Sequence, residues 1–253
     1  MPSAPINERP PIDVAFPCGD ASIRGVLCTP SASDAPALVL VPDVRGISDH
    51  YREMGSRFAA EGFRTLVLDI YSREGPPHLP DMEAVMRWID ALPDARVLAD
   101  IAAGVAFLAR QGGDPRRRIG ITGFCLGGQH ALLAACKIGG LSACVSFYGM
   151  LRYAQPSALK PESPLDLARE LSCPLLGLYG ADDALIPTRD VSEFERLLQE
   201  AGKEFELKVY DGAGHAFMNE TRPDAYRPQI AADAWRRAVD FLRGRLGSST
   251  TVV

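Results

Sequence analysis

The chain has 253 residues, of which 47% are hydrophobic and 23% are charged. This length and composition predict one large α/β domain with a sizeable buried core. The 27 lysines and arginines are outnumbered by 32 acidic residues, and the net charge is -5 at pH 7. Because the charge comes from mixed signs and not from a basic field, nucleic acid is excluded as an expected partner.

Residues 1–11 lack the basic and then apolar pattern of a secretory signal, and no apolar run reaches membrane-spanning length. We therefore expect a cytoplasmic protein without membrane contact. The histidines lack ligand spacing such as HExxH, and the six cysteines contain no CxxC pair, so we expect neither a metal site nor disulfides. We divide the chain into a flexible segment 1–12, one domain over 13–246 and a flexible tail 247–253.

In chain order, short apolar runs followed by turn residues predict strands of a mostly parallel sheet of about eight strands, covered by helices on both faces. The first two runs flank Gly19-Asp20, which indicates an antiparallel hairpin at the sheet edge. The predicted strands are Val14 to Cys18, Ser22 to Cys28, Ala37 to Val41, Thr65 to Ile70, Arg118 to Thr122, Ala143 to Phe147, Pro174 to Tyr179 and Glu206 to Tyr210.

Apolar residues at helical spacing predict helices at Val97 to Arg110, Ser192 to Gln199 and Ile230 to Leu246. Two proline-rich stretches between the elements, Ser72 to Pro80 and Arg152 to Pro164, are predicted to be irregular. Loops of this kind often cover a site, so we expect the pocket walls to come from the loops around His78, Trp88 and Arg152.

The most informative segment is Gly-Phe-Cys-Leu-Gly-Gly at residues 123–128, which follows an apolar strand and precedes a helical stretch. This context predicts a nucleophile elbow, in which a strand turns abruptly into a helix and glycines relieve the crowding. The central residue, Cys125, would then present its thiol as a nucleophile. The backbone N–H of Leu126 would lie where negative charge develops on the carbonyl oxygen under attack.

A thiol nucleophile needs a base and a carboxylate that orients the base, and in this arrangement they follow in the order nucleophile, acid, histidine. Asp182 and Asp183 follow the strand that ends at Tyr179, and His215 lies in a glycine-framed turn after the last strand. We favour Asp183 as the acid, with Asp182 capping the following turn, although the residues alone leave this choice open. His50, His78 and His130 lack such framing and are interpreted as structural or peripheral.

Four motifs of this chain together resemble the dienelactone hydrolase (carboxymethylenebutenolidase) family of the α/β-hydrolase fold. They are the elbow, Pro-Asp-Val-Arg-Gly at 42–46, Gly-Ala-Asp-Asp-Ala-Leu-Ile-Pro at 180–187 and Gly-Ala-Gly-His-Ala-Phe at 212–217. The resemblance runs from about Val14 to Leu246. It implies a cysteine nucleophile in place of the more common serine, and its pattern selects Asp183 over Asp182. It also implies that the N–H groups of Leu126 and Val44 form the oxyanion hole.

The chain departs from the family pattern at two positions, one that contacts the thiol and one that is expected to bind the substrate. The glutamate that contacts the resting thiol is replaced by the shorter Asp43, and the arginine expected four residues after the histidine is replaced by Asn219. Other arginines are therefore candidates for holding an anionic group. The candidate substrate contacts are Arg45, His78, Trp88, Tyr148, Arg152, Asn219 and Arg222.

We interpret the chain as a cofactor-independent hydrolase of small esters or lactones that acts through Cys125, His215 and Asp183 with an acyl-thioester intermediate. Its expected partner is a small-molecule substrate, and the chain is expected to be a monomer or a homodimer. Two alternatives stay open: a non-catalytic binding or regulatory protein that keeps the fold, and an acyltransferase that uses the same thiol.

Overall fold

The computed structural model describes residues 9–111 and 118–247. Within these residues, eight strands form a single sheet. The strands are β1 (Ile12–Cys18), β2 (Ala21–Cys28), β3 (Ala37–Val41), β4 (Arg64–Leu68), β5 (Ile119–Phe124), β6 (Leu141–Phe147), β7 (Leu175–Gly180) and β8 (Phe205–Tyr210). Their order across the sheet is β1-β2-β4-β3-β5-β6-β7-β8, and only the β1–β2 and β2–β4 pairs in this sheet are antiparallel.

The described helices are α1 (Asp49–Ala60), α2 (Met82–Ala91), α3 (Asp94–Arg110), α4 (Leu126–Lys137), α5 (Thr188–Glu200) and α6 (Pro228–Leu246), with a short 3-10 helix at Ala168–Glu170. Every residue of β3, β4, β5 and β7 is buried, because helices cover both faces of the sheet. On one face α1 meets α6 through Phe58 and Trp235, whose ring centroids are 4.4 Å apart. On the other face α3 and α4 pack side by side.

The predicted sheet of about eight mostly parallel strands with helices on both faces is confirmed. The edge hairpin is confirmed as well, since β1 and β2 pair through the two-residue loop at Gly19-Asp20. The helices α1 and α2 were not predicted. Most of the expected flexible segments 1–12 and 247–253 lies outside the described residues. Among the described helices, none is both long enough and apolar enough to cross a membrane.

The connection from β5 to α4 is a sharp turn at Cys125, whose φ of 55° lies in a region that L-residues rarely adopt. A Cβ atom on Gly123 would lie 2.1 Å from the carbonyl oxygen of Gly127, and one on Gly127 would lie 2.1 Å from the carbonyl oxygen of Val41. Neither position accepts a side chain, so both glycines are needed for the close approach of strand, turn and helix. The turn leaves Cys125 partly exposed at the carboxyl end of β5.

Candidate active site

The side chains singled out from the sequence follow strands whose carboxyl ends meet at one edge of the sheet. Cys125 follows β5, Asp183 lies three residues beyond β7 and His215 lies five residues beyond β8. The turn at 43–46 follows β3, the neighbour of β5 in the sheet. Open α/β sheets place their ligands at this edge, so the topology brings the candidate groups together from distant parts of the sequence.

Asp183 and His215 form a hydrogen-bonded pair. The Nδ1–H of His215 donates to Oδ2 of Asp183 over 2.8 Å, and the Asp183 side chain has no solvent exposure. The other oxygen, Oδ1, accepts the backbone N–H of Leu185 at 2.9 Å. Asp182 is exposed, and the capping bond expected of Asp182 is made by Asp183 itself. One buried carboxylate therefore both closes the turn and fixes the imidazole ring.

Cys125 is the neighbour of His215 on the side away from Asp183. Burial lowers the pKa of His215, but the charge of Cys125 and the hydrogen bond to Asp183 outweigh it and raise the pKa to about 10. The Nε2 atom of His215 is buried and finds no partner of ordinary hydrogen-bond geometry among the described residues. The thiol is thus close enough to raise the pKa of the imidazole, both by its charge and by a hydrogen bond whose geometry is poorer than the ordinary one. Catalytic hydrogen bonds are often long or poorly aligned before substrate binds.

Because the pKa of His215 is raised, we predict that the folded protein loses stability as the pH becomes alkaline. A group whose pKa is higher in the folded state stabilises that state fully below its unfolded value, about 6.5 for histidine, and loses this contribution as pH rises through its folded value. For His215 the window therefore runs from about pH 6.5 to the folded value of about 10. We expect the free energy of unfolding, measured by urea denaturation, to fall across this window by up to about 5 kcal/mol. A Cys125→Ala variant should show a shallower decline, and an equal slope in both proteins would contradict the interpretation.

Two backbone N–H groups lie on either side of the elbow. Leu126 is the first residue of α4 and Val44 lies in the turn after β3, and neither amide donates a hydrogen bond to another described residue. The turn is fixed by a bond from Gly46 N–H to the carbonyl of Asp43 at 2.9 Å and by the buried Tyr71 hydroxyl, which donates to the carbonyl of Val44 at 2.8 Å. The two free donors are therefore held by rigid elements.

Asp43 is buried beside this turn, and its carboxylate accepts the backbone N–H of Arg45 at 2.8 Å. Its second oxygen lies 4.0 Å from the guanidinium of Arg45. Asp43 and Cys125 line the same pocket, yet no hydrogen bond joins them. The shorter side chain is therefore occupied by its own turn, and the thiol is left to His215.

A small cavity of about 60 Å³ opens beside Cys125 and His215. One wall is the helix α2, whose apolar residues recur at positions i, i+3, i+4 and i+7. The apolar lining consists of Val44, Met82, Val85, Met86, Ile89, Met150, Leu185 and Ala216. Of the three segments predicted to form the walls, the one around Trp88 does so, but as the helix α2 and not as a loop. Met150 lines the cavity next to the segment of Arg152, whereas the segment around His78 does not reach it. A larger cleft of about 490 Å³ beside β1 and β2 contains no nucleophile.

Only some of the candidate substrate contacts reach the cavity. Arg45 and Arg222 line it. The ring of Tyr148 does not line the cavity but is buried edge-on against the imidazole of His215, with centroids 5.2 Å apart.

The remaining candidate contacts are used elsewhere. Trp88 packs edge-on against Tyr71, and His78 is exposed without lining the cavity. Arg152 pairs with Asp190 at 3.1 Å. Asn219 accepts the backbone N–H and the hydroxyl of Thr221 and so stabilises a turn.

Backbone strain concentrates at this edge of the sheet. Within the described residues, the non-glycine positions with positive φ are Cys125, Tyr148 and Ala216, at 55°, 40° and 63°. Each of them contacts or adjoins the imidazole of His215. Such strain persists only where the surrounding structure over-determines it, and it clusters at functional sites.

The chain is similar to known proteins over most of its length. The model of the "Dienelactone hydrolase family" matches residues 23–246. A probable 2-oxo-3-(5-oxofuran-2-ylidene)propanoate lactonase of Bradyrhizobium sp is 37% identical over 217 residues, covering 86% of this chain and 87% of the relative. A putative carboxymethylenebutenolidase of Salmonella typhimurium is 37% identical over 216 residues, covering 84% of this chain and 79% of the relative.

Among solved structures, that of a putative dienelactone hydrolase from Klebsiella pneumoniae superimposes with a TM-score of 0.86 at 33% identity, covering 91% of this chain and 97% of the other. The family match spans both the strand elbow and the histidine turn. The family match thus includes strands β3 to β8 and every element that supplies a candidate side chain. The chain belongs to the dienelactone hydrolase family, whose members are ester and lactone hydrolases with the α/β-hydrolase fold.

Proposed function

We propose that this protein hydrolyses small carboxylic esters or lactones through Cys125, His215 and Asp183, by way of an acyl-thioester. The observation that carries the proposal is the thiol of Cys125, held at a strained elbow beside an imidazole that Asp183 fixes at 2.8 Å. A nucleophile, a base and an orienting acid in this relation are the parts that acyl transfer requires.

In the proposed first step, His215 takes the proton of Cys125, and the sulfur attacks the carbonyl carbon of the substrate. Asp183 stabilises the imidazolium that forms. The negative charge that develops on the carbonyl oxygen would be met by the N–H groups of Leu126 and Val44. Removing one such donor from an acyl-transfer enzyme typically costs about 3 kcal/mol of transition-state stabilisation.

When the tetrahedral intermediate collapses, the ester C–O bond breaks and His215 returns its proton to the leaving oxygen. In a lactone the leaving oxygen stays attached to the acyl chain, so the ring opens on the enzyme. His215 then removes a proton from water, which attacks the thioester and releases the carboxylic acid with the thiol of Cys125 restored.

The cavity also constrains the substrate. Its small volume and apolar wall favour a compact acyl group, and the two arginines at its edge, Arg45 and Arg222, favour an acyl group that carries a negative charge. The Bradyrhizobium relative is named for a lactone with a propanoate group, which has this chemistry. We therefore propose carboxylate-bearing lactones as the preferred substrates.

Replacing Arg222 by glutamine should separate charged from neutral substrates. Loss of a charge-assisted hydrogen bond is worth about 1.5 to 3 kcal/mol, so kcat/KM for a carboxylate-bearing lactone should fall roughly 10- to 100-fold, mainly through KM. For a neutral ester of similar size, kcat/KM should stay within about threefold. Arg196→Gln, on the exposed face of α5 and paired with Glu200, is the matched control. An equal loss on both substrates would argue against an anion contact at Arg222.

The proposed function is tested by trapping the intermediate. The protein is mixed briefly with a panel of small esters and lactones, quenched in acid and examined by intact-mass and peptide mass spectrometry. We expect an increase equal to the acyl group, located on Cys125 and lost with time in water. Turnover without an adduct on Cys125, or no turnover of any member of the panel, would refute the proposal.

A further inference from the structure

A buried cluster of polar side chains lies behind the first turn of α4, and the proposed chemistry does not use it. It consists of His130, Asp94, Lys160 and Tyr153, which we call the His130 cluster. The residue exposures of His130, Asp94 and Lys160 are 0%, 4% and 2%. Burying charged groups is costly unless they are paired, so the arrangement calls for an explanation.

Asp94, at the start of α3, is the centre of the cluster. Its Oδ1 accepts from Nζ of Lys160 at 2.8 Å and lies 3.1 Å from Nε2 of His130. Its Oδ2 accepts the hydroxyl of Tyr153 at 2.6 Å. The other ring nitrogen of His130, Nδ1, lies 2.9 Å from the carbonyl oxygen of Leu126.

These contacts determine the protons on His130. A carbonyl oxygen can only accept, so Nδ1 carries a hydrogen. Burial raises the pKa of Asp94, but its bonds with His130, Lys160 and Tyr153 outweigh burial and hold the pKa below its usual range, so Asp94 is ionised at neutral pH. An ionised carboxylate also only accepts. Both ring nitrogens of His130 therefore face acceptors, and each is placed to donate a hydrogen bond.

We propose that His130, as an imidazolium held by Asp94, is a positioning residue that fixes the first turn of α4 through the carbonyl of Leu126. The inference rests on the proposed function, in which the N–H of Leu126 receives the developing oxyanion. The other proposed donor, Val44, is held in the same way, because its carbonyl accepts the buried hydroxyl of Tyr71. Each residue of the oxyanion hole is thus fixed by one buried side chain.

The charge of the His130 cluster supports a role in chemistry. Two cations, His130 and Lys160, face one carboxylate and leave one net positive charge. A cation near a helix N-terminus opposes the helix dipole and is normally unfavourable. His130 stands five residues beyond Cys125, about 7.5 Å along the helix axis, where its charge favours an anionic sulfur and an anionic intermediate. The position of His130 therefore lowers the stability of α4 but stabilises the negative charge of the sulfur and of the intermediate.

The protonation state is tested first, by NMR of protein labelled with 15N-histidine at pH 7. The chain has four histidines, and the spectrum of His130→Asn assigns the missing signal. We expect both ring nitrogens of His130 to have the chemical shifts of an imidazolium. A neutral ring, with one nitrogen unprotonated, would overturn the proposal. This measurement does not depend on any enzyme activity.

The positioning role is tested with two substitutions. Asparagine keeps a donor near the place of Nδ1, whereas leucine keeps volume without a donor. We expect kcat of His130→Leu to fall roughly 10- to 100-fold with KM within about twofold, and His130→Asn to recover most of that loss. Wild-type kcat in a folded His130→Leu would overturn the proposal.

Leu108→Ala is the control for a general loss of stability. It creates a cavity at the end of α3 that is far from Asp94. It should lower the melting temperature without lowering kcat, and an equal fall in kcat would assign the effect of His130→Leu to stability and overturn the positioning role. If the wild type itself hydrolyses no ester or lactone, the proposed function fails, while the NMR result still decides the charge of His130.

Discussion

A Cys125→Ala variant is expected to lose ester and lactone hydrolysis by a factor on the order of 10⁴ to 10⁶ in kcat, because the nucleophile of an acyl-transfer enzyme and its base act as one unit. The alanine side chain fits the elbow, since Cys125 already has a Cβ atom in this strained turn. The variant should therefore fold. Hydrolysis of an activated ester and of a carboxylate-bearing lactone, followed with high enzyme concentration, measures the residual rate.

The matched control is Cys136→Ala, which removes a thiol from α4, the helix that follows the elbow. Burial raises the pKa of the Cys136 thiol to about 12, so it stays protonated and is a poor nucleophile at neutral pH. We expect this variant to keep wild-type kcat and to be acylated at Cys125 as before. Substantial hydrolysis by Cys125→Ala, or its loss in Cys136→Ala, would rule out Cys125 as the sole nucleophile.

The sheet and the elbow could be predicted from the sequence because their signals are local. Apolar runs such as Ala37–Val41 are buried on both faces, and two glycines flank the cysteine at the turn. The hairpin at Gly19-Asp20 was predicted for the same reason, since a two-residue turn with a positive φ favours glycine. Such patterns involve residues that are close in the sequence, so they can be recognised without knowledge of the tertiary structure.

The pocket wall was predicted less well. The helix α2 follows a stretch with several prolines, and its start is marked only by Asp81, whose side chain accepts the N–H of Ala84 at 2.8 Å. The spacing of Met82, Val85, Met86 and Ile89 would have revealed it, because these residues lie on one helical face. The prolines before the helix favour a loop and so mask the start of the helical pattern in the sequence.

The His130 cluster was beyond prediction from spacing. Asp94 lies 36 residues from His130 and 66 from Lys160, and no local pattern links them. His130 was interpreted as structural because it lacks glycine framing, which is informative only for a histidine in a turn. A histidine inside a helix acquires its partners from other elements, so its charge and its contacts follow from tertiary structure alone.

The second large effect is expected at Asp183, one of two adjacent aspartates between which the sequence motifs alone do not decide. Asp183→Asn should lower kcat by about 10⁴, because an amide can donate to Nδ1 of His215 and so favour the wrong tautomer of the ring. The carboxylate of Asp183 accepts that Nδ1–H at 2.8 Å and helps to raise the pKa of His215. The pKa of His215, followed by NMR, should therefore fall in the variant together with kcat.

Asp182→Asn supplies the control within the same turn. Asp182 is exposed and its side chain does not reach His215, so its replacement should leave kcat within about twofold and the pKa of His215 unchanged. Because the two substitutions remove the same charge from neighbouring positions, a general electrostatic effect would lower both rates alike. A large difference between them isolates the hydrogen bond that Asp183 accepts from the imidazole, whereas equal rates would mean that neither carboxylate orients His215.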